Sequence, residues 1–227
     1  LLDLFLPDAF GLDAVRKVAP RLSLISSAIC TAGVSYFDGG RSYAELGNVM
    51  PFHQELDDVT YSLHLYSPGA LFGAGAANDR FKPGTVIHYP YRKLAASSAE
   101  NDGARSLIVD YNKTKVGPKF FDKIFGEIAA FAKTRGVRIM LTETGIPKPN
   151  FGVPREDRIR ALRDIIGASR EADVPVTYFD AAGSWGFSSC PASDKVPDHR
   201  FDPGVLNVLA WGNEIVGIDP EAPLPPI

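Results

Sequence analysis

Short apolar runs that read as strands alternate with longer helical patterns along this chain, and few architectures accept that order. Four runs stand out, at residues 22–29 (LSLISSAI), 59–66 (VTYSLHLY), 137–142 (VRIMLT) and 174–179 (VPVTYF). Each is rich in apolar or β-branched residues and bounded by Gly, Pro or charge, which suits short buried parallel strands. Helical patterns occupy residues 12–18, 41–49, 119–133, 155–172 and 205–211. The clearest is 119–133, where Phe121, Ile124, Phe125, Ile128, Phe131 and Ala132 recur at helical spacing and Gly136 supplies a stop. In 155–172 the stripe is Ile159, Leu162, Ile165 and Ile166. Pro154 suits the first turn there, and Glu156 and Asp157 favour the positive end of the helix. Alternation of this kind predicts an α/β fold with parallel strands joined by right-handed crossovers. A doubly wound sheet and a (β/α)8 barrel both accept it.

No strand is followed by a glycine-rich phosphate loop, so a nucleotide site has little support. A barrel of about 250 residues has eight units of about 31 residues each. Only four strong units appear in these 227 residues. The excess sits in residues 67–116, read as one long loop that includes the glycine-rich stretch 73–79. Its aromatics, Phe72, Phe81, Tyr89, Tyr91 and Tyr111, point to a packed or ligand-lining segment rather than disorder.

The formal net charge is −3, with 22% charged residues, which gives no pull toward nucleic acid. No apolar run approaches the roughly 18 residues of a membrane span. The first residues, LLDLFLPDAFGL, lack the basic start of a signal peptide. Two cysteines, Cys30 and Cys190, make neither a disulfide scaffold nor a cysteine zinc cluster. His53, His88 and His199 have no metal-ligand spacing, and neither HExxH nor GxSxG occurs.

Chemical groups gather where the strand runs end. His64 and Tyr66 close the second, Glu143 the third and Asp180 the fourth, with Trp185 five residues on. In α/β enzymes the site lies at the C-terminal ends of the strands. A carboxylate, an imidazole, a phenol and an indole are also what a sugar site needs: acids for bond cleavage, flat rings for pyranose faces, polar groups for hydroxyls. Each has a plainer use. A strand-end Glu caps loops or pairs with arginine, a lone His sits hydrogen-bonded in cores, Trp185 plugs a barrel end, and Asp180 caps a turn.

The order of these segments resembles glycoside hydrolase family 5, the cellulase-like clan of retaining glycosidases. TYSLHLYSP is similar to its sixth barrel strand, which ends in His-x-Tyr as His64 and Tyr66 do here. VRIMLTETG is similar to its seventh, which ends in the nucleophilic glutamate, here Glu143 within Thr142-Glu143-Thr144-Gly145. GVPREDRIRALRDIIGASREADVPVTYFDAAGSWGF resembles the following helix and eighth strand. DAVRKVAP and LSLISSAI resemble the fourth helix and fifth strand. The resemblance runs from about Leu12 to Pro220. It implies the C-terminal half of a (β/α)8 TIM barrel, about strands 5–8, with residues 1–220 as a partial catalytic domain and 221–227 as a proline-rich tail.

Two departures carry consequences. Phe179 stands where the family has a sugar-stacking Trp. The family's acid/base glutamate lies in an Asn-Glu-Pro motif after the fourth strand, and no such motif occurs here. The resemblance implies a double displacement on a β-glucan or related polysaccharide, without metal or organic cofactor. Glu143 would attack, Tyr66 would orient it, and His64, Tyr66, Phe179, Asp180 and Trp185 would bind sugar. Asp180 and Glu45 are the only stand-ins for the missing acid. The competing expectation is a non-catalytic carbohydrate-binding or scaffold remnant of such a barrel. A secreted or periplasmic location is expected of the whole parent, and self-association is expected through exposed barrel edges.

Overall fold

A computed structural model describes residues 24–27, 59–74, 81–149, 152–179 and 202–210. Strands β1 (Leu24–Ser27), β2 (Val59–Leu65), β3 (Arg138–Thr144) and β4 (Val176–Tyr178) form one sheet in chain order. Every neighbouring pair is parallel. The four strands fall on the four runs read from the sequence. Between β2 and β3 the chain makes α1 (Asp102–Thr114) and α2 (Pro118–Arg135). Helix α3 (Arg155–Glu171) joins β3 to β4, and α4 (Pro203–Ala210) follows.

The period of two along β2 decides which face is covered. Tyr61, Leu63 and Leu65 are buried. Their partners across the ladder are Ile139, Leu141 and Thr144, buried as well. This face packs under the helices. The opposite face carries Thr60, His64, Met140 and Glu143, all only partly covered.

Helix α2 places Phe121, Ile124, Phe125, Ile128 and Phe131 in the core, as its spacing predicts. Phe121 meets the rings of Phe72 and Tyr89 with centroids 6.2 and 5.9 Å away. Each such side chain contributes about 1.5–3 kcal/mol through burial. Gly136 ends the helix at φ 66°, a left-handed backbone that glycine adopts without strain. Helix α3 buries Ile159, Leu162 and Ile165, while Ile166 is only partly covered. Pro154 stands at its N-cap rather than in its first turn.

Residues 67–116 are not the long loop expected from the sequence. They contain a wide π-type turn (Ala70–Ala74), a 3-10 turn (Ala96–Ser98) and α1. The Asn101 side chain accepts from the Ala104 N–H at 2.9 Å and starts α1, and Ala104, Ile108 and Tyr111 bury its inner stripe. The segment is packed: Phe72, Tyr89 and Tyr111 are in the core, with Phe81 and Tyr91 against it. Gly73, the first residue of the glycine-rich stretch, belongs to the π-type turn. The expected helices at 12–18 and 41–49, the tail 221–227, Cys30, Cys190, His53 and His199 lie outside the described residues. No described helix is long and apolar enough to cross a membrane.

His88 ties this packed segment to α3. Its Nδ1 lies 2.8 Å from Asp157 Oδ2, and the Tyr89 N–H donates to the same oxygen at 3.3 Å. Arg160 donates to the other oxygen. Burial opposes the charge, but these three donors outweigh it and hold the Asp157 carboxyl below the usual carboxylate range. A depressed folded-state value stabilises the chain above the unfolded value of about 3.9, and the gain is lost as pH falls through the folded one. Asp157→Asn is therefore expected to cost about 1–3 kcal/mol above about pH 5, with the difference shrinking below about pH 4. Urea midpoints at several pH values check this. An equal cost at both ends of the range would contradict it.

Candidate functional site

Glu143 and His64 owe their meeting to an irregularity in β3. From Thr60 to Leu63 the register with β3 is regular, Leu63 facing Leu141. It then slips, so that His64 faces Glu143 and Leu65 faces Thr144. The pairing of β3 with β4 shifts over the same stretch, between Leu141 and Thr144. Thr142 is the extra residue of a bulge. Bulges re-aim a side chain at the end of a strand. Without the slip, Glu143 would share a face with Leu65. With it, Glu143 shares the open face with His64.

The Tyr66 hydroxyl donates to Glu143 Oε2 at 3.3 Å. His64 Nδ1 lies 3.3 Å from the same oxygen. That contact is an ion pair when the imidazole is protonated. The two rings stand edge-to-face, 6.3 Å apart and 86° to each other. The His64 side chain is 10% exposed and that of Glu143 is 37% exposed. The imidazole is therefore fixed by packing, while the carboxylate keeps an edge toward solvent. A half-exposed carboxylate held by the Tyr66 hydroxyl, with His64 beside it, is available for attack or for pairing with a cation. Each charge-assisted hydrogen bond contributes about 1.5–3 kcal/mol where it is shielded from water, less where it is not.

The rim beyond β3 is stitched to both neighbours. Thr144 Oγ1 donates to the Leu65 carbonyl at 3.0 Å, and the Phe179 N–H donates to the Thr144 carbonyl at 2.8 Å. Val176 and Tyr178 pair with covered positions of β3, so the alternation carries Phe179 toward the Glu143 face, where it is 38% exposed. The fold brings Glu143, His64 and Tyr66 into contact. Asp180, Trp185 and Glu45 lie outside the described residues. Among the described residues no group of three or more His, Cys, Asp or Glu is arranged to hold a metal.

The sequence reading missed Thr144 and Arg158. Arg158 is 1% exposed, with Nε donating to the Ile146 carbonyl at 2.9 Å and Nη2 to the Tyr178 hydroxyl at 2.8 Å. An arginine in the first turn of a helix otherwise reads as surface, and the resemblance carried Arg158 only within its GVPREDR segment, with no role attached.

The sheet and its helices superpose on solved α/β barrels. The chain is similar to the cellulose synthase subunit Z from Clostridioides difficile, with a TM-score of 0.58 at 14% identity, over 88% of this chain and 53% of that one. It is similar to endoglucanase Cel5A from the hyperthermophilic Thermotoga maritima, with a TM-score of 0.59 at 13% identity, over 88% and 51%. A hyperthermophilic endo-β-1,4-glucanase solved with substrate gives 0.53 at 15% identity, over 87% and 50%. The fold is that of a (β/α)8 barrel, matched over about half its length. The chain spans about half the length of the structures it resembles. No protein-family model matches it, and no curated protein matches its sequence.

Proposed function

We propose that this chain carries the nucleophile side of a retaining β-glycan hydrolase site of the family 5 type. The observation that supports this reading most is the grip on Glu143. A strand-end carboxylate on the open face of a barrel sheet receives Tyr66 and His64 on one oxygen at 3.3 Å each. Both contacts on Oε2 leave Oε1 as the attacking atom. In the proposed step Oε1 bonds to the anomeric carbon, the bond from that carbon to the glycosidic oxygen breaks, and the leaving oxygen takes the electron pair and a proton from a second carboxyl. In retaining enzymes that carboxyl lies about 5–5.5 Å away. The Asn-Glu-Pro motif that would carry it is absent from the 227 residues. Phe179 offers a ring to a sugar face, and Asp180 and Trp185 complete the sugar-binding set. The endoglucanase relatives in fold and the order of sequence motifs support a β-glucan as the substrate class.

The experiment is to trap the intermediate. An aryl β-cellobioside with fluorine in place of the hydroxyl beside the anomeric carbon and a dinitrophenolate leaving group needs no acid to react. The expected result is a mass gain of one fluorocellobiosyl unit on the peptide carrying Glu143. Binding of cello-oligosaccharides with no label at Glu143 would favour the non-catalytic reading instead.

Tyr66→Phe removes the hydroxyl that donates to Glu143 and leaves the ring. The rate of this labelling is expected to fall about tenfold, the loss of one hydrogen bond to a charged group that is partly wet. An unchanged rate would show that His64 alone orients the carboxylate.

A further inference from the structure

Arg158 is the largest side chain completely withdrawn from water in the described residues. A buried guanidinium costs several kcal/mol of desolvation, and an apolar side chain of similar volume often serves stability as well or better. Its place in the first turn of α3 therefore calls for an explanation beyond packing.

Two of its hydrogen bonds give one. Nε holds the carbonyl of Ile146 and Nη2 holds the hydroxyl of Tyr178. Ile146 follows Glu143 by three residues, on the segment leaving β3. Tyr178 ends β4, pairs with Thr144 and precedes Phe179. The planar guanidinium thus fixes two chain segments at once, from the helical side, directly behind the rim. A lysine, with a point charge on a flexible stem, does not reproduce that fork. The bulge between Leu141 and Thr144 is where the β-ladder is irregular on both sides of β3, so the ladder alone holds Glu143 weakly.

We propose that Arg158 is a positioning residue: by bracing the ends of β3 and β4 it sets the aim of the Glu143 carboxylate toward Tyr66 and His64 and the placement of Phe179. This rests on the reading of Glu143 as nucleophile only for its kinetic consequence; the geometric consequence stands independently.

The test uses the full chain and the double variant Arg158→Met/Tyr178→Phe, which fills the volume with apolar atoms and removes the hydroxyl that Arg158 holds. Tyr178→Phe alone and Arg158→Lys are made beside it. Two measurements are taken, the rate of fluorocellobiosyl labelling of Glu143 and crystal structures of the unaltered chain and the variants. The double variant is expected to keep its thermal midpoint within a few degrees yet label about 10- to 100-fold more slowly, the scale for a misplaced reacting group. Its crystal structure should show Glu143 Oε2 outside hydrogen-bond distance of Tyr66 or His64. Arg158→Lys should recover only part of the rate. If the double variant does not fold, Tyr178→Phe alone carries the test, with a smaller loss and the same displacement. Unchanged placement of Glu143 in a folded variant overturns the proposal. If the unaltered chain takes no label while the variant's carboxylate is displaced, the hydrolase reading falls and the positioning role of Arg158 stands.

Discussion

Glu143→Gln is expected to lower labelling of the chain by an activated aryl β-glycoside at least about 10³-fold, with the fold intact. Glutamine keeps the shape and keeps an oxygen for the Tyr66 hydroxyl, which now lies 3.3 Å from Oε2. It removes the negative charge and with it the nucleophile. Covalent catalysis has no substitute for that group, and removal of a nucleophile elsewhere costs rates of this order or larger. Stability should change little, because the side chain is 37% exposed and glutamine still accepts from the Tyr66 hydroxyl. The rate is read by intact mass spectrometry against time, and the fold by far-ultraviolet circular dichroism. A Gln variant labelled as fast as the parent would place the nucleophile elsewhere and end the assignment of Glu143.

What the sequence made readable, and what it hid, follows from the range of the forces involved. Strand identity was readable because parallel strands with helices on one face collect apolar and β-branched residues in short runs. Helix α2 was readable because five buried residues repeat at 3.6. Helix α1 was not read, although Ala104, Leu107, Ile108 and Tyr111 have the spacing of one face. Asp102 and Gly103 in its first turn weaken the local signal, and the cap that starts it is a single Asn101 side chain. Glu143, His64 and Tyr66 were readable as residues at strand ends. The resemblance set Tyr66 against Glu143, and its hydroxyl is found there; the one-residue slip that turns Glu143 onto that face is not displayed by a sequence of seven strand residues. The same holds for Arg158 and for the His88–Asp157 pair: each joins segments separated by 12 to 69 positions, and nothing in the residue types requires the meeting.

The second large effect concerns the leaving group. This chain is expected to form the glycosyl-enzyme from a dinitrophenyl glycoside while turning over soluble β-glucan about 10²- to 10⁴-fold more slowly than a chain extended upstream by four strand–helix units. A dinitrophenolate departs without a proton, whereas a sugar alkoxide is a poor leaving group and draws most on a general acid. The described partners of Glu143 are a phenol and an imidazole, not a carboxyl, and the Asn-Glu-Pro motif is absent from the 227 residues. The same deficit acts on the second half of the reaction. Water attacking the glycosyl-enzyme needs a base to take its proton, and the group that serves as acid first serves as base later. Azide needs no base. Added azide should therefore speed release of the aryl-derived sugar and yield a β-glycosyl azide, the product of two inversions at one carbon. In the extended chain azide should change little, since its own carboxyl already activates water. Equal glucan turnover by the two chains, with no response to azide in the shorter, would mean that a proton donor already lies within these residues.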